Sequence, residues 1–306
     1  MIKAKALQKG DLVAVAAPAS PFDRKEFLAG VKKIKELGFE VTFRKDIFAK
    51  KGYLAGTDER RADELNQFFG DPEIKAIFFA RGGYGTQRIL HLLDIEAIKT
   101  CPKIILGCSD ITALHAWLYR HEVGGTFYGP TIARQLRLAN KGTVDSFIAA
   151  LFASEPLGKI SSAGAKTFKK GAAEGVITGG CLSLIVSSIG TPYELPTDNS
   201  ILFLEDVGES VYKYDRMLTH LKASGKLRNV RGLIFGSLGL SGKNESRKLL
   251  NKMLEDVLAD FPGPIITNFP SGHLALDKLF VTLPFGVAAK ITTHPVCVSI
   301  TEPALI

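Results

Sequence analysis

Residues 103–115 read KIILGCSDITALH: an apolar run, a glycine, a cysteine–serine–aspartate turn, then a helical pattern that continues to residue 122. A short β-branched run ended by a glycine has the form of a buried strand, and ITALHAWLYRHE carries apolar residues at helical spacing. The stretch is one strand–turn–helix unit, and its chemistry turns on Ser109. A sharp turn from strand to helix lifts a serine hydroxyl to an apex, beside backbone N–H groups at the positive end of the helix dipole. Gly107 permits close backbone approach, although Ile111 stands where the G-x-S-x-G pattern has its second glycine. Serine and aspartate are also the residue types that cap helices, so Ser109 or Asp110 as an N-cap is the competing reading.

The same alternation extends outward. DLVAVAAP, FEVTFR, IKAIFFA and GTFYGP read as strands. DRKEFLAGVKKIKELG reads as an amphipathic helix ended by Gly38, and TDERRADELNQFFGD as a helix opened by Thr57. A further helix is expected from about Thr86. Near-continuous apolar strands separated by helices predict an α/β fold whose parallel sheet is covered on both faces. Between about residues 154 and 174 the periodicity fades into Gly, Ser, Lys and Ala. Residues 1–155 are therefore expected as an N-terminal α/β domain, 156–171 as a linker and 172–306 as a smaller C-terminal α/β domain. In the latter, GVITGG, ILFLED, VRGLIFGS and PIITNF read as strands, and the tail is strand-rich. Helices are expected from about Cys181, over YKYDRMLTHLKAS and over ESRKLLNKMLEDVLADF.

Composition narrows the class. With 306 residues, 46% hydrophobic and 23% charged, the chain has the make-up of a soluble globular protein. No apolar run approaches the ~20 residues of a membrane span. The opening MIKAKALQKGDLVAVAAPAS imitates a secretory signal, but Gly10 and Asp11 interrupt it, and residues 12–17 read as a first buried strand. Cys101, Cys108, Cys181 and Cys297 form no C-x-x-C pair and lack zinc spacing, which points to reduced thiols in the cytoplasm. The net charge of +8 favours anionic partners only weakly, and no basic tract with interleaved aromatics suggests nucleic acid.

Three further positions hold chemistry-bearing residues. FFARGGYGTQR is a second strand-end turn, where Gly82, Gly83 and Gly85 expose N–H groups able to cradle a phosphate or an oxyanion. It matches neither nucleotide-binding glycine motif, and Arg81 beside it is a candidate for an anionic substrate group. His91, His115, His121 and His220 fall in helical patterns, and His294 lies in a tail loop. His273 sits in the loop NFPSGHLALD directly after a strand, where an imidazole can reach a site above the sheet. Glu205 ends the apolar run ILFLE, where a carboxylate needs a cationic or N–H partner. Asp206 competes with it but points the other way if the strand continues.

ARGGYG, GCSDITALH, GGCLSL, FLEDVGE and GHLALDKLFVTLPFG together resemble the LD-carboxypeptidase family of serine peptidases, along nearly the whole chain. That family includes muramoyltetrapeptide carboxypeptidases and microcin C self-immunity proteins. The resemblance implies a triad of Ser109 as nucleophile, Glu205 as orienting acid and His273 as general base. It implies an oxyanion hole from the backbone N–H groups of Gly83 and Asp110, with Arg81, Gly82 and Tyr84 toward the substrate. The implied fold pairs an N-terminal domain similar to class I glutamine amidotransferases with the smaller C-terminal domain, as a homodimer. The serine would come from one domain and the acid and base from the other, so that closure could gate activity. The implied reaction releases the terminal D-alanine from muropeptide tetrapeptides in peptidoglycan recycling, with no metal, organic cofactor or membrane. Cleavage of aminoacyl-nucleotide antibiotic mimics is the alternative. Cys181 in GGCLSL stands where many relatives carry asparagine, and Cys108 is expected to point away from the apex.

Overall fold

Five short apolar runs in the first half form β1 (Leu12–Ala16), β2 (Glu40–Thr42), β3 (Ile74–Phe79), β4 (Ile104–Gly107) and β5 (Thr126–Tyr128). They alternate with α1 (Arg24–Glu36), α2 (Asp58–Gly70), α3 (Ile95–Thr100) and α4 (Thr112–Arg120), and α5 (Lys141–Phe152) follows. The second half supplies β6 (Gly158–Ile160), β7 (Lys166–Lys169), β8 (Ala172–Cys181), β9 (Ser200–Glu209) and β10 (Gly232–Leu240). It continues with β11 (Ile265–Thr267), β12 (Leu283–Phe285), β13 (Val287–Thr293) and β14 (Val296–Ile300). Its helices are α6 (Leu182–Ser188), α7 (Val211–Ala223) and α8 (Arg247–Val257). This computed structural model describes residues 1–161, 163–241 and 246–306.

The expected α/β architecture is present as two sheets. The first has the order β12-β5-β4-β3-β1-β2, parallel except for the antiparallel pair β12–β5. Strand order reverses between β1 and β3, and ligands of such sheets bind beyond the carboxyl ends of the strands at that reversal. The second sheet runs β6-β14-β13-β8-β9-β10-β11-β7, with β8 to β11 mutually parallel and the outer strands antiparallel.

Local signals explain the boundaries. Asp23 caps α1 by accepting from Lys25 and Glu26, and Thr57 caps α2 by accepting from Arg60. The helix expected from Thr86 is instead two 3-10 turns, Thr86–Arg88 and Leu90–Leu92. The next α-helix begins only where Asp94 accepts from Glu96 and Ala97. The stretch 156–171, expected as a linker, holds β6 on β14 and β7 on β11. Both are short and mostly polar, so no buried face marks them in the sequence.

Alternation along β9 joins the two sheets. Leu202 and Leu204 turn to one face and pack with Leu218 and Leu221 of α7 and Leu182 and Ile185 of α6. Ile201 and Phe203 turn to the other, into a cluster that also contains Phe78, Leu106, Phe127 and Tyr128 of the first sheet. The Phe203 ring lies 5.4 Å from that of Tyr128 and 6.4 Å from that of Phe285. One apolar core thus spans both sheets. Phe203→Ala should cost about 3–5 kcal/mol, the usual price of a buried phenylalanine. The sole tryptophan, Trp117, sits on α4, so its fluorescence and far-UV circular dichroism in urea should shift to lower denaturant together.

Candidate active site

Ser109 stands just beyond the end of β4 with φ +62°, a left-handed conformation that costs a non-glycine residue about 1–3 kcal/mol. A 3-10 turn, Ser109–Ile111, leads from it into α4, and neither element has a side-chain N-cap bond. The Asp110 carboxylate reaches away from its own helix and accepts from the Thr86 N–H at 2.8 Å. The capping reading of this turn is therefore not realised, for either residue. Ser109 donates its backbone N–H to the Tyr128 hydroxyl at 3.1 Å. Cys108 is buried, with its Sγ 3.9 Å from Gln135 Nε2, and burial raises its thiol pKa.

The RGGYG turn after β3 lies against this apex. A Cβ on Gly82 would fall 2.7 Å from Ser109 Cβ, 3.0 Å from Ser109 Oγ and 3.3 Å from the Asp110 nitrogen. The missing side chain lets the turn pack directly against Ser109. Gly83 has φ +111°, and any side chain there would collide with Ser20. Ser20 in turn donates its N–H to the Gly82 carbonyl at 3.3 Å and accepts from the Tyr84 N–H at 3.2 Å. From beneath, the buried Arg61 guanidinium donates to the Pro18 carbonyl and, at 2.7 Å, to the Gly85 carbonyl. Arg81 donates to the Pro21 carbonyl at 3.0 Å. Tyr84 is partly exposed at the rim, its ring 5.9 Å from that of Tyr53.

Glu205 follows Phe203 on the face of β9 that meets the first sheet and has no solvent exposure. It accepts from the His273 N–H at 2.8 Å, from His273 Nδ1 at 2.9 Å and from the Tyr128 hydroxyl at 2.5 Å. Gly272 has φ +104°, and a side chain there would strike the carboxylate, so the loop can bring His273 in only through glycine. Asp206 faces the helices, where it accepts from Ser183 N–H at 2.7 Å near the start of α6. Alternation thus separates the two acids, and only Glu205 meets the imidazole. Burial opposes charging of His273, but the hydrogen bond and the charge of Glu205 outweigh it and raise its pKa. With Nδ1–H on the carboxylate, Nε2 is left as the proton acceptor.

Cys181 pairs in register with Glu205, and its N–H is held by Thr112 Oγ1 at 3.0 Å, fastening β8 to the start of α4. His115 is a packing residue: its Nε2 meets the Gly107 carbonyl at 3.0 Å, and burial lowers its pKa to about 4.

The N-terminal LD-carboxypeptidase domain model matches residues 13–129, and the C-terminal LD-carboxypeptidase domain model matches residues 174–291. The chain belongs to the LD-carboxypeptidase family. A probable murein peptide carboxypeptidase of Bacillus subtilis is 36% identical over 295 residues, covering 95% of this chain and 92% of that protein. A murein tetrapeptide carboxypeptidase of Pseudomonas aeruginosa is 29% identical, covering 91% of this chain and 92% of that one. The solved structure of MccF in complex with glutamyl sulfamoyl guanosine superposes with a TM-score of 0.91 at 25% identity, each chain covered in full. This LD-carboxypeptidase is a serine-type enzyme.

Four contributors escaped the reading of the sequence: Tyr128, Thr112, Ser20 and Arg61. Only Tyr128 left a trace there, as a polar-tipped aromatic closing an apolar strand. The exposed Arg134 also stands close enough to His273 for its charge to oppose protonation. Gly82→Ala tests this close approach in this LD-carboxypeptidase. Its backbone needs no positive φ, so any fall in the thermal midpoint comes from moving Ser109 away from a Cβ set 2.7 Å from its own. Peptidase turnover should fall by about 100-fold or more, because the methyl group displaces the Ser109 hydroxyl from its place at the apex.

Proposed function

We propose that this enzyme hydrolyses the amide before a terminal D-alanine, releasing it from muropeptide tetrapeptides in the cytoplasm. Ser109 Oγ attacks the carbonyl carbon while His273 Nε2 takes its proton. Glu205 holds the imidazole by Nδ1 and stabilises the imidazolium that forms. The tetrahedral oxyanion is received by the N–H groups of Gly83 and Asp110, each such donor being worth about 3 kcal/mol. His273 then returns the proton to the leaving D-alanine nitrogen, and water, activated by the same imidazole, cleaves the acyl-enzyme. Arg81, Gly82 and Tyr84 line the approach for substrate. The reading includes two domains, 1–155 and 172–306, and a homodimer.

The observation that carries this reading is the buried Glu205 carboxylate, bonded to His273 Nδ1 and, through the Tyr128 hydroxyl, to the backbone N–H of Ser109. Murein peptide and tetrapeptide carboxypeptidases among the relatives support the substrate class, and four free cysteines suit a reducing compartment. The likeness to MccF favours a second reading, in which the same acyl-transfer chemistry cleaves an aminoacyl nucleotide.

Purified enzyme offered a tetrapeptide muropeptide and, separately, an aminoacyl-sulfamoyl adenosine should release D-alanine and leave the second compound intact. Preferential cleavage of the nucleotide would reverse the choice of substrate. Ser109→Ala should abolish release while its circular dichroism matches wild type, and undiminished turnover would remove Ser109 from the mechanism. The pH profile follows from the raised pKa of His273. The competent base is the neutral imidazole, so kcat/KM should rise with pH through an apparent pKa above the ~6.5 of a free histidine. Glu205→Gln should move that limb to lower pH, since the neutral amide no longer favours the imidazolium.

A further inference from the structure

Tyr128 is the last residue of β5, in register with Gly107 at the end of β4. Its ring is fully buried between the sheets, 5.4 Å from Phe203, 5.6 Å from Phe285 and 6.3 Å from His115. The hydroxyl at its tip meets two groups. It lies 2.5 Å from Glu205 Oε1 and 3.1 Å from the backbone nitrogen of Ser109. A carboxylate cannot donate and a backbone N–H cannot accept, so the polarity of the chain is fixed. The phenol gives its single proton to Glu205 and receives the Ser109 N–H on a lone pair. Burial and the neighbouring carboxylate both raise the phenol's pKa well above its usual value, so the proton stays on the oxygen.

Resting on the triad reading above, we infer that Tyr128 is a positioning residue that couples the orienting acid to the nucleophile turn. Its hydroxyl holds Ser109 in the left-handed conformation by its backbone N–H, and by the same atom holds one oxygen of Glu205. Both oxygens of the carboxylate are thereby aligned, Oε1 by Tyr128 and Oε2 by the N–H of His273. The serine's own N–H is also engaged, which leaves oxyanion binding to Asp110 and the RGGYG turn.

The coupling has an electrostatic consequence that packing alone would lack. A proton donated to Glu205 disperses its charge and weakens its pull on the His273 imidazolium. Removing the donor should strengthen that pull, and a more acidic phenol should weaken it.

The test uses full-length enzyme and the D-alanine release assay. Tyr128→Phe keeps the ring and its packing. Its kcat should fall by about 10- to 100-fold, the rate equivalent of one hydrogen bond to a charged group, with KM little changed. Its kcat/KM acid limb should move up by roughly half a pH unit. Replacing Tyr128 with 3,5-difluorotyrosine, nearly isosteric and a stronger donor, should move the limb down and keep most of kcat. Opposite shifts support the coupling. A wild-type limb in both proteins would overturn it, as would a kcat loss in Tyr128→Phe that tracks only a lowered thermal midpoint. If Ser109→Ala remained active, the triad reading itself would fail. If Ser109→Ala is dead and both Tyr128 variants behave as wild type, only this inference fails.

Discussion

A carboxylate with no exposure to solvent must find its hydrogen-bond donors inside the protein, and Glu205 finds them in both sheets. His273 approaches from the loop after β11 with its backbone N–H and ring nitrogen, while Tyr128 reaches across from the end of β5. An unpaired buried charge costs several kcal/mol, so each of these partners is required by the others. The arrangement also dictates sequence at a distance. Gly272 and Gly236 must lack side chains because a Cβ on either would press on Glu205 or its neighbours. Glycine beside a buried charge lets the backbone itself come close enough to bond or pack.

The apex at Ser109 shows how local strain is held in place. Left-handed φ at a serine is unfavourable in isolation, and here it is opposed on three sides. Tyr128 takes the N–H, Gly82 lies against Cβ and Oγ, and Gly107 brings the strand close beneath Ile111 and Phe79. Asp110, next in sequence, ties the apex to the RGGYG turn through Thr86. The turn therefore does not depend on the second glycine of the G-x-S-x-G pattern. Ile111 at that position is fully buried and serves the core under the first sheet.

The sequence made legible what depends on local pattern. Apolar runs placed the strands, and strand ends placed Ser109, the RGGYG turn, Glu205 and His273. Strand alternation set Glu205 and Asp206 on opposite faces, and the structure has one acid on the imidazole and the other on Ser183. Which of the two acids faces the site came from the family resemblance. Tertiary partners were not legible. Nothing local marks β6 and β7 as strands, because their pairing is supplied by β14 and β11 from far along the chain. β12 likewise sits in the strand-rich tail, yet completes the first sheet beside β5. The helix expected from Thr86 was over-read: residues 86–92 make two 3-10 turns, and the α-helix starts only where Asp94 caps it. Tyr128, within the run GTFYGP read only as a strand, went unnoticed because its partner Glu205 belongs to the second sheet.

A site divided between two sheets would ordinarily invite gating by their separation, as the family resemblance implied. The packing here argues against a wide opening. Separating the sheets would expose Phe203, Phe285 and Tyr128 to water at about 1.5–3 kcal/mol for each large apolar side chain. It would also break the Tyr128–Glu205 and Thr112–Cys181 bonds. Substrate access costs less at the rim, where Tyr53 and Tyr84 are exposed with their rings 5.9 Å apart. Motion that admits a peptide is therefore expected in the exposed Tyr53 and Tyr84 side chains, with the bonded RGGYG backbone and the Glu205–His273–Tyr128 assembly kept in place beneath them.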